Sequence, residues 1–217
     1  MRISFIALAL AAGAAPAVAQ APSVASTPSR IVVSGGIAAS SAQVLRDGFV
    51  ANELSGPLFG ATGRVGFRRL SLDVSYTEGS LTPGSGASVR ETFAEANVVL
   101  RFAVGGGFSV GGGPRARAFV APSGTVRWMR VEARGRYQRE LIPGRAWADI
   151  DLWQVLSADV NAQGGSDGGR GTSAGITLQL PNSPFALRAA YTADRMAYAN
   201  GTSEFLDHLE VGLRYGR

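Results

Sequence analysis

Between Trp128 and Trp153 the chain alternates apolar and charged residues on both sides of a turn at Leu141-Ile142-Pro143-Gly144. Met129, Val131, Ala133 and Tyr137 share one face of the first segment, and Arg130, Glu132, Arg134 and Arg136 share the other. On the second segment Ala146, Ala148, Ile150 and Leu152 oppose Asp149 and Asp151. A period of two puts successive side chains on opposite faces of a strand. The stretch therefore predicts a hairpin with one apolar and one charged face. The same pattern predicts ten strands, roughly 30–39, 57–67, 70–79, 91–104, 108–119, 126–140, 145–160, 172–180, 185–198 and 205–216. Most approach the roughly 9–11 residues that a tilted membrane strand needs. Several overshoot and would project beyond the bilayer.

The connections alternate in length. Short ones fall at Phe67-Arg68-Arg69-Leu70, Gly105-Gly106-Gly107, Ile142-Pro143 and Pro181-Asn182-Ser183-Pro184. Longer, polar ones fall near 40–56, 80–90, 120–125, 161–171 and 199–204. Short periplasmic turns alternating with longer outer loops are the pattern of an antiparallel, transmembrane up-and-down β-barrel. We expect all-β architecture with ten strands, eight or twelve being the alternatives, and both ends of the barrel domain in the periplasm. A soluble sandwich or lipocalin-like barrel also alternates, but it would bury the apolar face and expose the charges.

The two faces can be followed from strand to strand. Phe59, Ala61, Val65 and Phe67 are assigned outward, as are Leu70, Leu72, Val74 and Tyr76, and Leu209, Val211, Leu213 and Tyr215. The inward set is a charge network: Arg64, Asp73, Glu95, Arg115, Arg117, Arg130, Glu132, Arg134, Arg136, Asp149, Asp151, Arg188, Glu210 and Arg214, with Glu91, Arg101 and His208 on the same face. Closing the turns sets Arg64 opposite Asp73, Glu95 opposite Arg117, Arg136 opposite Asp149, Arg134 opposite Asp151 and Asp194 opposite His208. Opposite charges facing one another on one sheet face stabilise the pairing. Pro143 can force a slip of two residues, because proline is disfavoured at the second central position of a common turn. Such a slip would exchange partners and keep the faces.

Composition changes this picture in three places. Met1-Arg2, an apolar run from Ile3 to Ala15 and the A-x-A site Ala17-Val18-Ala19 predict a signal peptide over 1–19, a flexible periplasmic lead-in over 20–29 and a barrel domain over 30–217. Cysteine is absent, so disulfides contribute nothing to an exported domain. The formal charge of +5 would suggest nucleic acid, but the arginines are scattered among acids without a basic run, and that partner is not expected. All basic side chains are Arg, which suits planar, bidentate pairing with carboxylates in confined places.

The last strand resembles the C-terminal assembly signal of bacterial outer-membrane barrels, carried by Glu210, Gly212, Leu213 and Tyr215, with Arg217 where a terminal aromatic is usual. That resemblance, over about residues 30–217, is to small outer-membrane β-barrel proteins generally. It implies the outer membrane of a Gram-negative-type bacterium, with lipid, lipopolysaccharide and the barrel-assembly machinery as partners. His208 is the only histidine, so no multi-histidine metal site can form, and no metal or cofactor is expected. A His208–Asp194 pair on the lumen side near the outer rim is similar to the His–Asp pair of omptin-type proteases. That resemblance would make the two residues catalytic, but a cross-strand ion pair is the preferred reading, since paired ionisable residues are often structural. No G-x-S-x-G elbow or phosphate loop occurs, and the glycine-rich stretch 164–171 has too few acids for calcium. Ser41–Leu54 could form a short amphipathic helix over the barrel mouth, weakened by Gly48. The functional expectation is a non-enzymatic outer-membrane barrel with a charge-paired interior and loops for surface interaction or envelope integrity. A narrow channel is the alternative, and a rim hydrolase using Asp194 and His208 is the third class.

Overall fold

The computed structural model describes residues 31–47, 53–84, 90–161 and 165–216. They form ten strands: β1 (Ile31–Arg46), β2 (Glu53–Phe67), β3 (Leu70–Pro83), β4 (Glu91–Gly105), β5 (Phe108–Ala121), β6 (Gly124–Ile142), β7 (Ala146–Val160), β8 (Ser166–Gln179), β9 (Phe185–Tyr198) and β10 (Ser203–Tyr215). Each pairs antiparallel with its chain neighbours, and β1 pairs with β10. The sheet thus closes on itself and leaves no unpaired edge. The expected signal peptide, the lead-in and Arg217 lie outside the described residues.

Polarity is inverted along the barrel axis. In the half nearer the short turns, apolar side chains point out: Val74, Leu100, Ile150, Ile176, Leu187 and Val211 are all about half exposed. Charged side chains point in, and Arg101, Asp149 and Arg188 are buried there. In the other half the exterior is mostly polar, with Gln43, Ser55, Ser80, Thr92, Asp159 and Arg195 exposed. Its interior is apolar: Val44, Leu54, Leu81, Met196 and Leu206 have no exposed surface. Aromatic rings bound the apolar belt. At the short-turn end Phe108 meets Tyr137 at a tilt with centroids 4.5 Å apart, and Phe185 meets Tyr215 likewise at 5.5 Å. At the other edge the Tyr76 hydroxyl donates to Glu78 (2.8 Å) and that of Tyr191 to Asp207 (3.0 Å). Such rings, apolar on one side and wet on the other, sit at membrane interfaces. Phe59 and Phe67 are eight residues apart on β2, a rise of about 20 Å on a strand tilted by about 40°. The belt fits a bilayer, and the upper barrel stands clear of it.

Several strand ends differ from expectation. β1 continues to Arg46 and β2 begins at Glu53, so the supposed helix and loop over Ser41–Leu54 are largely strand; Gly48 and Phe49 fall outside the described residues. β3 runs on to Pro83, and β8 starts at Ser166, inside the stretch read as a loop. The long connection expected at 120–125 is a two-residue turn, Pro122-Ser123. Arg64 stands opposite Asp73 and Glu95 opposite Arg117. The β6–β7 hairpin is slipped by two, with Arg136 opposite Asp151 and Arg134 opposite Trp153. The slip arises because Pro143, Gly144 and Arg145 together make the turn, Gly144 taking φ +66°. Ala146, assigned outward, is buried beside that turn.

Trp153 lies flat against β8 because residue 171 has no side chain. A Cβ on Gly171 would strike the indole and come within 2.7 Å of the Ala193 carbonyl. Gly171→Ala is therefore expected to cost about 1–3 kcal/mol through overpacking. Urea unfolding of the refolded barrel, followed by tryptophan fluorescence, measures it.

Candidate functional site

The lumen has three tiers. Across the outer tier, side chains from nine of the ten strands pack together in two apolar clusters. In the first, Phe93 meets Phe119 edge-on at 5.3 Å among Val44, Leu54, Leu81 and Leu206. In the second, Trp128 meets Tyr198 at 4.7 Å beside Met196 and Val160. Val126 touches both clusters and joins them. These rings are at most 2% exposed, so the tier is a packed core rather than a lined pore.

Beneath it lies a balanced charge layer. Arg117 holds Glu95 (2.7 Å), Asp194 (2.5 Å) and Glu204 (3.0 Å). Arg130 holds Glu132 (2.7 Å) and Asp194 (2.6 Å). Arg115 holds Glu95 (2.6 Å) and lies 3.5 Å from Glu132. Arg134 reaches Glu132 at 3.0 Å while its guanidinium stacks over Trp153 at 4.5 Å. Four arginines thus face four carboxylates, and the Trp153 indole adds a hydrogen bond to Asp194 (3.0 Å). Nearer the outer mouth, Arg46 and Glu91 pair at 2.7 Å.

The inner tier is open. Asp73 accepts from Arg64 and, at 2.9 Å, from Arg101, which also binds Asp151. Asp149 accepts from Arg188 and lies 3.4 Å from Arg136. Arg134 and Asp151 are 3.6 Å apart, so the two pairs expected of this hairpin form diagonally despite the slip. A cavity of about 530 Å³ lies among these side chains. A second, of about 630 Å³, shares Arg64, Arg101, Arg136 and Trp147 with it and reaches the short turns at Arg68, Arg69 and Gly107. Arg188 can lie across β8 only because Gly175 is bare: a Cβ there would be 2.6 Å from its guanidinium.

Of the network assigned from the sequence, the structure brings all but two members into hydrogen-bonded or ion-paired contact. Glu210 and Arg214 face the lumen and form neither among the described residues. The Asp194–His208 pairing is corrected. Asp194 stands opposite Leu206 and His208 opposite Thr192, because the turn closes two residues tighter, with Ser203 opposite Ala197. In the C-terminal signal, Tyr215 points outward, while Gly212 packs between Ala38 and Arg188 in the flanking strands. Arg46, Trp128, Trp153, Tyr198 and Glu204 were missed. Arg46 and Glu204 fell in supposed loops, and the three aromatics carry no charge to mark the inner face.

No family model matches the chain, and no curated protein sequence matches it. Similar solved structures include Neisserial surface protein A, at 13% identity over 85% of this chain and 97% of that one, with a TM-score of 0.42. An outer membrane channel from Pseudomonas putida F1 is 12% identical over 85% and 95%, with a TM-score of 0.48. The outer membrane protease OmpT from Escherichia coli is 9% identical over 86% and 96%, with a TM-score of 0.44. By its own closed antiparallel sheet, apolar belt and charged lumen, this chain is a small β-barrel of the bacterial outer-membrane type.

Proposed function

We propose that the chain is a non-conducting, non-enzymatic barrel whose packed outer tier seals the lumen and whose loops serve surface interaction or envelope integrity. The observation that carries this reading is the apolar tier, where the Phe93–Phe119 and Trp128–Tyr198 pairs, in two clusters joined by Val126, fill the mouth with almost no exposed surface. A pore at that level would need these rings to leave their contacts together. The balanced charges below support the walls rather than a path. Asp194 supports a structural role too: two guanidiniums and an indole already occupy its oxygens. The partners that fit are lipid and lipopolysaccharide at the belt, and the barrel-assembly machinery at β10 during export.

Planar-bilayer recording of the pure refolded protein tests the reading. We expect no resolved current steps over a range of voltages. Reproducible single-channel steps would overturn it in favour of a narrow channel. Hydrolytic activity lost on His208→Ala would instead support the rim enzyme.

A further inference from the structure

We propose that the inner tier is a binding site for a small multivalent oxyanion, a soluble molecule with two or more phosphate or carboxylate groups that enters from the periplasmic side. The space is adequate: about 530 Å³ continues into the chamber at the short turns, and sites for small molecules span about 300–1,000 Å³. Among the described lumen tiers the positive excess falls here. Six arginines and three aspartates line the deeper cavity; with Arg134 assigned to the layer above, where it binds Glu132, five arginines against three aspartates leave an excess of two positive charges. The rim chamber adds Arg68, Arg69 and Glu140, raising the excess to three. The layer immediately above is neutral, four against four, so the excess is not a matter of overall composition.

The open hydrogen-bonding valences point the same way. Arg214 lines the cavity and makes no hydrogen bond or ion pair among the described residues. Arg101, 6% exposed at its side chain, keeps Nη1 buried without a partner, and Arg136 does the same with Nε. Asp73 and Asp149 are each already shared between two arginines; Asp151 leaves one oxygen without a donor. The balance of unmet valence is therefore basic. Guanidinium groups offer paired donors that match phosphate and carboxylate geometry. Crowding them in a low-dielectric cleft concentrates anions there. Arg214 lies near Asp149 and Glu210 without binding either directly, whereas an entering oxyanion would bridge it to Arg136 and Arg188.

Calorimetric titration of the barrel, refolded in non-ionic detergent, with pyrophosphate and with citrate tests this. We expect saturable binding at one site, weakened by salt through screening. Arg214→Gln and Arg136→Gln should each weaken it by about tenfold or more, the effect of losing a charge-assisted contact. Arg170→Gln, on the exposed outer wall of β8, should leave it unchanged. Heat-modifiable gel mobility identifies folded variants, and Arg136→Gln carries the test if Arg214→Gln fails to fold. No saturable binding by the wild-type barrel, or equal weakening by Arg170→Gln, would overturn the proposal. Titration in bilayer discs separates the source of the anion. Undiminished pyrophosphate affinity in anionic discs supports a soluble ligand; loss there, but not in zwitterionic discs, would show a lipid headgroup as occupant and overturn it. None of these results bears on the outer seal, which the conductance measurement tests alone.

Discussion

Asp194→Ala is expected to destabilise the barrel by about 3–5 kcal/mol, the cost of breaking a buried ion pair by removing one partner. The carboxylate is 1% exposed and joins Arg117, Arg130 and the Trp153 indole. Alanine would leave two guanidiniums facing each other across a dry layer, with Arg115 nearby and only Glu95, Glu132 and Glu204 to offset them. Asp194→Asn separates charge from shape. It can still accept from the indole but cannot compensate the arginines, so it should recover only a minority of the loss. Urea unfolding midpoints of refolded wild type and both variants provide the comparison. A loss below about 1 kcal/mol for Asp194→Ala would place this carboxylate among screened surface pairs and sink the account of a dry, interlocked layer.

The second large effect is a contrast within one strand. Val74→Arg should cost about 2–4 kcal/mol, the penalty for arginine near the bilayer midplane, whereas Ser80→Arg should cost no more than about 1 kcal/mol. Both side chains point out from β3, six residues apart. Val74 lies within the apolar belt, below Tyr76 and Glu78; Ser80 lies above it, on the polar collar. Unfolding in lipid vesicles, where the host is a bilayer rather than a micelle, is the suitable assay. Equal costs at the two positions would mean that the belt is misplaced.

The lower barrel was legible because alternation there has one phase. On β2 Phe59, Ala61, Val65 and Phe67 occupy odd positions and face lipid; on β10 Leu209 to Tyr215 do the same. The upper barrel was hidden because the phase of the apolar residues flips while the backbone continues. On β1 Ile31, Val33 and Ile37 are odd and exposed, and then Ala42 and Val44 are even and buried. A reader following one phase sees the pattern end near residue 39 and supplies a loop. The same flip separates Phe59 from Leu58 and Leu54 on β2, and Tyr76 from Leu81 on β3. Both strands were accordingly drawn too short. Charge identified the inner face wherever strands crossed the membrane, which is why Arg64, Asp73, Arg101 and Arg188 were placed inward. It could not reveal the apolar seal, because Trp128 and Tyr198 resemble lipid-facing aromatics until the wall has changed solvent. Register depended on turn geometry, which Pro143 and the loop near Gly201 set two residues away from the simplest closure.

The inversion of polarity also fixes how deep the barrel floats. Sinking by one residue pair along the strands, about 7 Å of chain, would draw Glu78 and Asp207, with the tyrosines that hold them, toward hydrocarbon. Rising by the same amount would lift Phe59 and Tyr76 into water at the upper edge and draw the exposed Arg68 and Arg69 of the short turns toward hydrocarbon. Each displacement is opposed on all sides of the wall at once, because every strand crosses the boundary at its own ring of interfacial residues. The seal is therefore held above the lipid and the arginine-lined chamber within it, so the same vertical anchoring sets which aqueous compartment each half of the lumen can meet.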